Sequence, residues 1–278
     1  MTTFTVPHHL PSAGPDLLVA LDVDGTLLSH LGEATARVVD AVAALTAAGV
    51  HVVIATGRGV VATTPVLDAL ALNEGYTVCS NGAMTLRLDP GLDGGLEILE
   101  AVTFHPEATL RKLRRVLPDA LFLVEDAHMG RLVSAPFPDG ELHGEPRIVD
   151  FEELCQVSAT RVTLRAPDLE AAHIHEALDQ AGLHGVSYAV GWTAWLDVAP
   201  DGVTKASALE RVREHLGISP FATVAVGDGA NDHEMFDWAS WAVAMGQATD
   251  ETKAHANDVT GTVAEDGLAW VLEALLER

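Results

Sequence analysis

Three short runs, LLVALDV (17–23), VHVVIAT (50–56) and ATVAVGD (222–228), are apolar at almost every position rather than at every second one. A strand with one face in water alternates. A strand that is apolar throughout is buried on both faces, as in a parallel sheet covered by helices. Between the first two runs, EATARVVDAVAALTAA (33–48) spaces its apolar residues as a helix does and stops at Gly49, a residue suited to a left-handed helix end. Residues 60–72 repeat the helical pattern, and YTVCS (76–80) predicts a third strand. This rhythm predicts an α/β fold.

The rhythm changes after Asn81-Gly82. MTLRL (84–88) and LEILEAVTF (96–104) predict strands around the turn-rich DPGLDGG. A helix over 106–117 and strands near 120–124 and 130–134 follow, then a Pro- and Gly-rich loop over 135–146. Next come a strand at 160–165, a helix opened by Pro167-Asp168, and strands near 185–190 and 192–198. The first rhythm returns with a helix over 204–216, the strand ATVAVGD, a helix beginning in NDHEMFDWA, the strand WAVAM and a closing helix over 267–277. The expectation is a core built from 1–83 and 197–278, a loose tail over 1–16, and an α+β cap inserted at 84–196.

The formal net charge is −24, from 40 acidic and 16 basic residues. Such a surface repels polyanions, so neither a nucleic acid nor an anionic membrane is the expected partner. Cys79 and Cys155 form neither a disulfide framework nor a metal-ligand spacing. The first residues, MTTFTVPHHLPSAG, lack a basic n-region, and no stretch approaches the ~18 apolar residues of a membrane span. The expected location is the cytoplasm.

In open α/β sheets, ligands bind beyond the carboxyl ends of the strands. Three polar clusters fall there: LDVDGT, ATGR and VGDGAND. One such cluster is what any strand end leading into a loop would show; three aimed at one edge ask for a site. Asp22 and Asp24 stand two apart and share a side of an extended chain, and Gly25 lets the chain turn away. Asp228 and Asp232 flank Asn231 beyond another strand. Four carboxylates in one crevice repel each other unless a cation sits among them, and hard oxygen ligands suit magnesium. DGANDHEM is not an EF-hand, and neither a Walker loop nor G-x-S-x-G occurs. His173 and His175 are two apart on a predicted helix and cannot face one ligand. Taken singly, Lys205 is an ordinary lysine opening a helix, Thr56 a helix cap, and Asp232 a helix N-terminal charge. Trp192 and Trp195, in GWTAW, are expected to pack in the cap or its hinge.

DVDGT, the Thr-Gly of ATGR, Lys205 and GDGAND, in this order, resemble the four motifs of the haloacid dehalogenase superfamily. Asn81-Gly82-Ala83, GVTKASALERV, VAVGDGANDHEM and AVAMGQATDETKAHA are most similar to its Cof-type phosphatases, which carry a large α/β cap. The resemblance covers both core segments; the cap resembles that subgroup in length and rhythm only. It implies a Rossmannoid core with a parallel sheet and a magnesium-dependent phosphatase of small phosphorylated metabolites, sugar phosphates first. Asp22 would be the nucleophile, and Asp24 the general acid and then base. Thr56 would hold a phosphoryl oxygen and Lys205 would neutralise charge. Gly57, Asn81 and Asn231 would line the phosphate site. Magnesium would be held by Asp22, Asp24 (through its carbonyl), Asp228 and Asp232. The rivals are a phosphomutase and a catalytically silent metabolite sensor; a sensor would be expected to have lost one of Asp22, Asp24, Lys205 or Asp228, and none is missing. The substrate-reading residues of the cap carry no motif, with EDAHMG (125–130) the one loop singled out, and the oligomeric state stays open.

Overall fold

The computed structural model describes residues 5–29, 32–190 and 195–278. The chain begins with β1 (Leu18–Leu21), α1 (Ala36–Ala47), β2 (His51–Ala55), α2 (Val60–Ala69) and β3 (Gly75–Cys79). β1 is buried at every position. Its side chains divide by alternation: Val19 and Leu21 pack with α1, while Leu18 and Ala20 face the opposite layer. α1 is capped at its start by the Thr35 hydroxyl, which accepts from the Val38 amide. It ends before Gly49, whose φ of +87° takes the left-handed conformation expected there.

β3 does not lead straight into the insert. β4 (Met84–Leu88) and β5 (Leu96–Ala101) fold back antiparallel and extend the first sheet. The expected cap boundary at 84 therefore moves beyond Ala101. Met84 and Leu86 bury against Val60 and Cys79, and Leu88 joins the main core, so their alternation is that of strands near a sheet edge. The chain then forms α3 (Glu107–Val116), β6 (Leu121–Asp126), β7 (Arg131–Val133), β8 (Arg147–Ile148), α4 (Phe151–Gln156), β9 (Ala159–Arg165), α5 (Ala171–Ala181), β10 (Val186–Val190) and β11 (Trp195–Pro200). These strands make a separate sheet of order β10-β11-β9-β6-β7-β8. β11 belongs to it through Pro200, so the return crossing lies after 200 rather than at 197. One face of this sheet is apolar: Phe122, Val124, Val162, Leu164, Leu196 and Val198 pack against its helices. Trp192 lies outside the described residues.

The closing segment is α6 (Lys205–Leu216), β12 (Thr223–Gly227), α7 (His233–Trp238), β13 (Trp241–Ala244), α8 (Asp250–His255), β14 (Asp258–Val259) and α9 (Gly267–Leu276). The first sheet has the order β14-β13-β12-β1-β2-β3-β4-β5, parallel from β14 to β3. Trp195, the described one of the two tryptophans, stacks edge-on against Phe137 inside the insert. The tail is less loose than expected: Leu10 is buried in the main core, and Arg278 donates to the carbonyls of Pro7 and His8. Among the described residues no helix is long and apolar enough to cross a membrane.

Candidate active site

β1 lies between β12 and β2. α1 covers one face of the sheet and α6 the other. Connections leaving to opposite faces open a crevice at the carboxyl ends of these strands. Asp22 follows β1, Thr56 follows β2 and Asp228 follows β12, so the three predicted clusters meet because their strands are adjacent. The Asp22 amide donates to the Val226 carbonyl at 3.0 Å, which ties the start of the first loop to β12.

Lys205 is only 1% exposed, against the ordinary expectation for a lysine. It heads the buried stripe of α6, followed by Ala208, Leu209 and Val212. The helix start is set by Thr204 and Ser207, which cap each other reciprocally. From there the ammonium reaches Asp22 Oδ1 at 2.5 Å and Asp232 Oδ1 at 2.7 Å. Burial opposes its charge, but Asp22 and Asp232 override that and hold its pKa above the usual range.

Asp232 is fully engaged. Its Oδ1 takes the lysine, and its Oδ2 accepts from the amides of Asp228 and Gly229, each at 2.9 Å. It braces the third loop behind Asp228. Asp228 sits against Gly25, where a Cβ would fall 2.2 Å from Oδ2 and the backbone has φ +83°. Only glycine meets both demands. Gln247 joins the two loops, donating to the Gly25 carbonyl at 2.6 Å and to Asp228 Oδ2 at 3.3 Å.

Oxygens of Asp22, Asp228 and Asp232 lie within 4.8 Å of one another, all buried. Burial pushes Asp22 well above the usual carboxylate range; Lys205 opposes this, and Asp232, Asp228 and Asp24 reinforce it. Burial, then Asp232, pushes Asp228 up to about 7. A single lysine does not balance three carboxylates, so an all-oxygen, net negative cluster of this kind fits a hard divalent cation. Asp22 and Asp228 have the freer oxygens; Asp232, with both in use, is a weaker candidate ligand than the sequence implied.

Asp24 is turned to another partner. Its side chain is 58% exposed, and its two oxygens accept from Arg58 Nε at 2.9 Å and Nη2 at 2.5 Å. Thr56 is buried, and its hydroxyl accepts from the Arg58 amide at 3.1 Å. Asn231 Nδ2 donates to Asn81 Oδ1 at 3.0 Å, and that same Asn81 amide lies against Gly57. All nine predicted site residues therefore gather at one edge. The sequence reading missed Arg58 and Gln247, although both lie inside stretches it singled out. Nothing in their spacing says which way they face.

A family model described as haloacid dehalogenase-like hydrolase matches residues 19–99 and 138–272. The chain belongs to this family. Among curated relatives, this hydrolase is 30% identical over 269 residues to pyridoxal phosphate phosphatase YbhA of Escherichia coli, covering 91% of this chain and 96% of the relative. It is 27% identical over 261 residues to the HMP-PP phosphatase of Yersinia pseudotuberculosis, with coverages of 92% and 93%. A solved phosphatase of the superfamily from Bacteroides thetaiotaomicron superposes with a TM-score of 0.73 at 26% identity, covering 99% of each chain. A subclass IIB sugar phosphatase gives 0.76 at 24% identity, covering 92% of this chain and 98% of its own, and carries the fold comparison alone. The hydrolase is thus a Cof-type member of the superfamily and a phosphoric monoester hydrolase.

Proposed function

We propose that this hydrolase is a magnesium-dependent phosphatase of small phosphorylated metabolites that works through an aspartyl-phosphate on Asp22. The observation that carries the reading is the buried contact of Asp22 with Lys205, beside Asp228 and at the carboxyl ends of three adjacent strands. Lys205 orients the Asp22 carboxylate and opposes the pull of burial toward its neutral form. An oxygen of Asp22 forms the bond to phosphorus as the ester oxygen leaves. Asp24 supplies the proton to that leaving oxygen, and its carboxylate then takes a proton from the water that cleaves the acyl phosphate. Arg58 holds Asp24 as the carboxylate, the form that takes the proton from water, through a two-point contact that a lysine does not reproduce and that loosens when Asp24 carries the proton it delivers. Thr56 has its hydroxyl oxygen occupied by the Arg58 amide, which leaves its own hydrogen to donate to a phosphoryl oxygen. Asn231 and Asn81 order each other at the same edge, with Gly57 letting the Asn81 amide approach the loop closely.

Asp22, Asp228 and the main-chain carbonyl of Asp24 would hold magnesium, with Asp232 bracing Asp228. The ion would neutralise charge on the phosphoryl oxygens.

Sugar phosphates are the first substrates to test. The names of the relatives add phosphorylated heterocycles, since one acts on pyridoxal phosphate and another on HMP-PP. The test is phosphate release across such a panel, with Asp22→Asn as the blank and with chelator added and then reversed by magnesium. No release from any phosphomonoester by the metal-loaded protein would refute the reading. Full activity in chelator would refute its metal.

A further inference from the structure

The face of the insert's sheet that its helices leave uncovered is charged. In register across β7, β6 and β9 stand Arg131, Glu125 and Arg161; on β11, Asp197 pairs with Thr163, two residues along β9 from Arg161. Arg131 Nε lies 3.3 Å from Glu125 Oε1; Arg161 meets Glu125 Oε2 at 2.8 Å and Asp197 Oδ1 at 3.4 Å. The Arg161 side chain is 7% exposed. Four ionised groups out of water gain little net stability over an apolar contact of the same size. What they provide is direction, and here one donor leaves the insert altogether. Arg161 Nη1 donates to the Gly57 carbonyl of the core at 2.7 Å.

The position of that carbonyl gives the contact its consequence. In the loop after β2, the Thr56 carbonyl accepts from the Asn81 amide at 3.0 Å, and the Arg58 carbonyl from the Ser80 amide at 2.8 Å. The core holds those two peptides itself, while the Gly57 carbonyl receives its donor from the insert. The Gly57 carbonyl and the Arg58 amide belong to one rigid peptide plane. Fixing the oxygen therefore aims the N–H at Thr56 Oγ1 and sets the root of the side chain that clamps Asp24. A second contact acts on the same loop. Glu125 lies so close to Gly59 that a Cβ there would fall 2.3 Å from Oε2. The backbone of Gly59 has φ −72°, which any residue adopts, so steric access for the insert is what this glycine provides.

We propose that Arg161 is a positioning residue through which docking of the insert orients the Gly57–Arg58 peptide, and with it Thr56 and Asp24. This rests on the functional reading above for the roles of Thr56 and Asp24. The docking itself does not. A charged contact suits the task because it can part and rehydrate when substrate enters, which an apolar face resists.

The test uses the full chain and two independent lesions. Arg161→Met combined with Glu125→Gln removes the donor while keeping the buried charge balanced. Gly59→Ala keeps Arg161 but pushes Glu125 off the loop. Hydrogen exchange without substrate should show at least tenfold faster exchange over residues 56–60 in each, with β1 and β12 unchanged. Phosphatase kcat should fall by about ten- to a hundredfold, the scale of a displaced reacting geometry. Arg161→Lys, which can still donate to the carbonyl, should recover part of both. Wild-type exchange over 56–60 together with wild-type kcat in the folded double variant overturns the proposal. So does a lowered melting temperature with loop exchange and kcat unchanged, the signature of a merely structural cluster. If the double variant does not fold, Arg161→Lys decides: loop exchange and kcat both equal to wild type overturn the proposal, and a partial loss of both supports it. The exchange arm needs no turnover, so it separates failure of this inference from failure of the phosphatase reading.

Discussion

The guanidinium of Arg58 and the carboxylate of Asp24 meet through two hydrogen bonds, 2.9 and 2.5 Å long, across 34 residues of chain. The pair is partly exposed, so its worth to stability is small, about 1 kcal/mol or less. Its value lies in orientation, because a two-point contact fixes the plane of a carboxylate where a single bond leaves it free to turn.

Replacing Arg58 should therefore cost rate and not fold. Arg58→Ala should lower kcat by about ten- to a hundredfold with little change in melting temperature. The loss in the phosphorylation step should be larger for an alkyl phosphate than for p-nitrophenyl phosphate, whose leaving group needs little protonation. Added guanidinium should restore part of the rate. Rapid-quench measurement of phosphoenzyme formation with both substrates checks this; equal losses would remove Arg58 from the orientation of Asp24.

Asp22→Asn should abolish turnover by about a thousandfold or more while the circular dichroism spectrum is preserved, since the neutral amide is a poor nucleophile. Acid trapping during turnover should place phosphate on Asp22 in the wild type and nowhere in the variant. Peptide mapping by mass spectrometry reads both.

Lys205→Met should damage the fold as well as the chemistry. It strands Asp22 and Asp232 in a buried cluster without their counter-charge, at a cost of about 3–5 kcal/mol. In a chain of this size that lowers the melting temperature by on the order of 10 °C. Calorimetry checks it. Lys205→Met combined with Asp22→Asn should be less destabilised than Lys205→Met alone, because one stranded charge is gone.

Asp228 makes stability and metal binding depend on pH in a definite sense. Its pKa is raised from an ordinary 3.8 to about 7 in the folded, metal-free protein, chiefly by burial. Between those values the folded state holds a proton that the unfolded state has released. The contribution is therefore full below about pH 4 and is lost as pH rises toward about 7. A divalent cation takes the proton's place. The melting-temperature gain from added magnesium should thus grow from pH 5.5 to 7.5, as scanning fluorimetry with and without the ion would show. A gain independent of pH would place the ion away from Asp228.

What the sequence by itself determined is the local part of this protein. Runs apolar on both faces could only be inner strands, and the polar groups that end them, Asp22, Thr56 and Asp228, had to emerge at one edge once those strands lay side by side. The end of α1 was equally legible at Gly49, because capping is a transaction between near neighbours. Tertiary structure decided the rest. Met84–Leu88 looked like the start of the insert because alternation does not say which sheet a strand joins; burial against Val60 and Cys79 assigned it to the first. Lys205 carried no mark of burial in its spacing, and becomes the counter-charge of the site only where α6 packs beneath Asp22. Arg161 lies 104 residues from Gly57 in sequence and 2.7 Å from its carbonyl in space. Residue type and spacing encode conformation over a few neighbours, whereas a contact between distant side chains exists only after the whole chain path has brought two surfaces together.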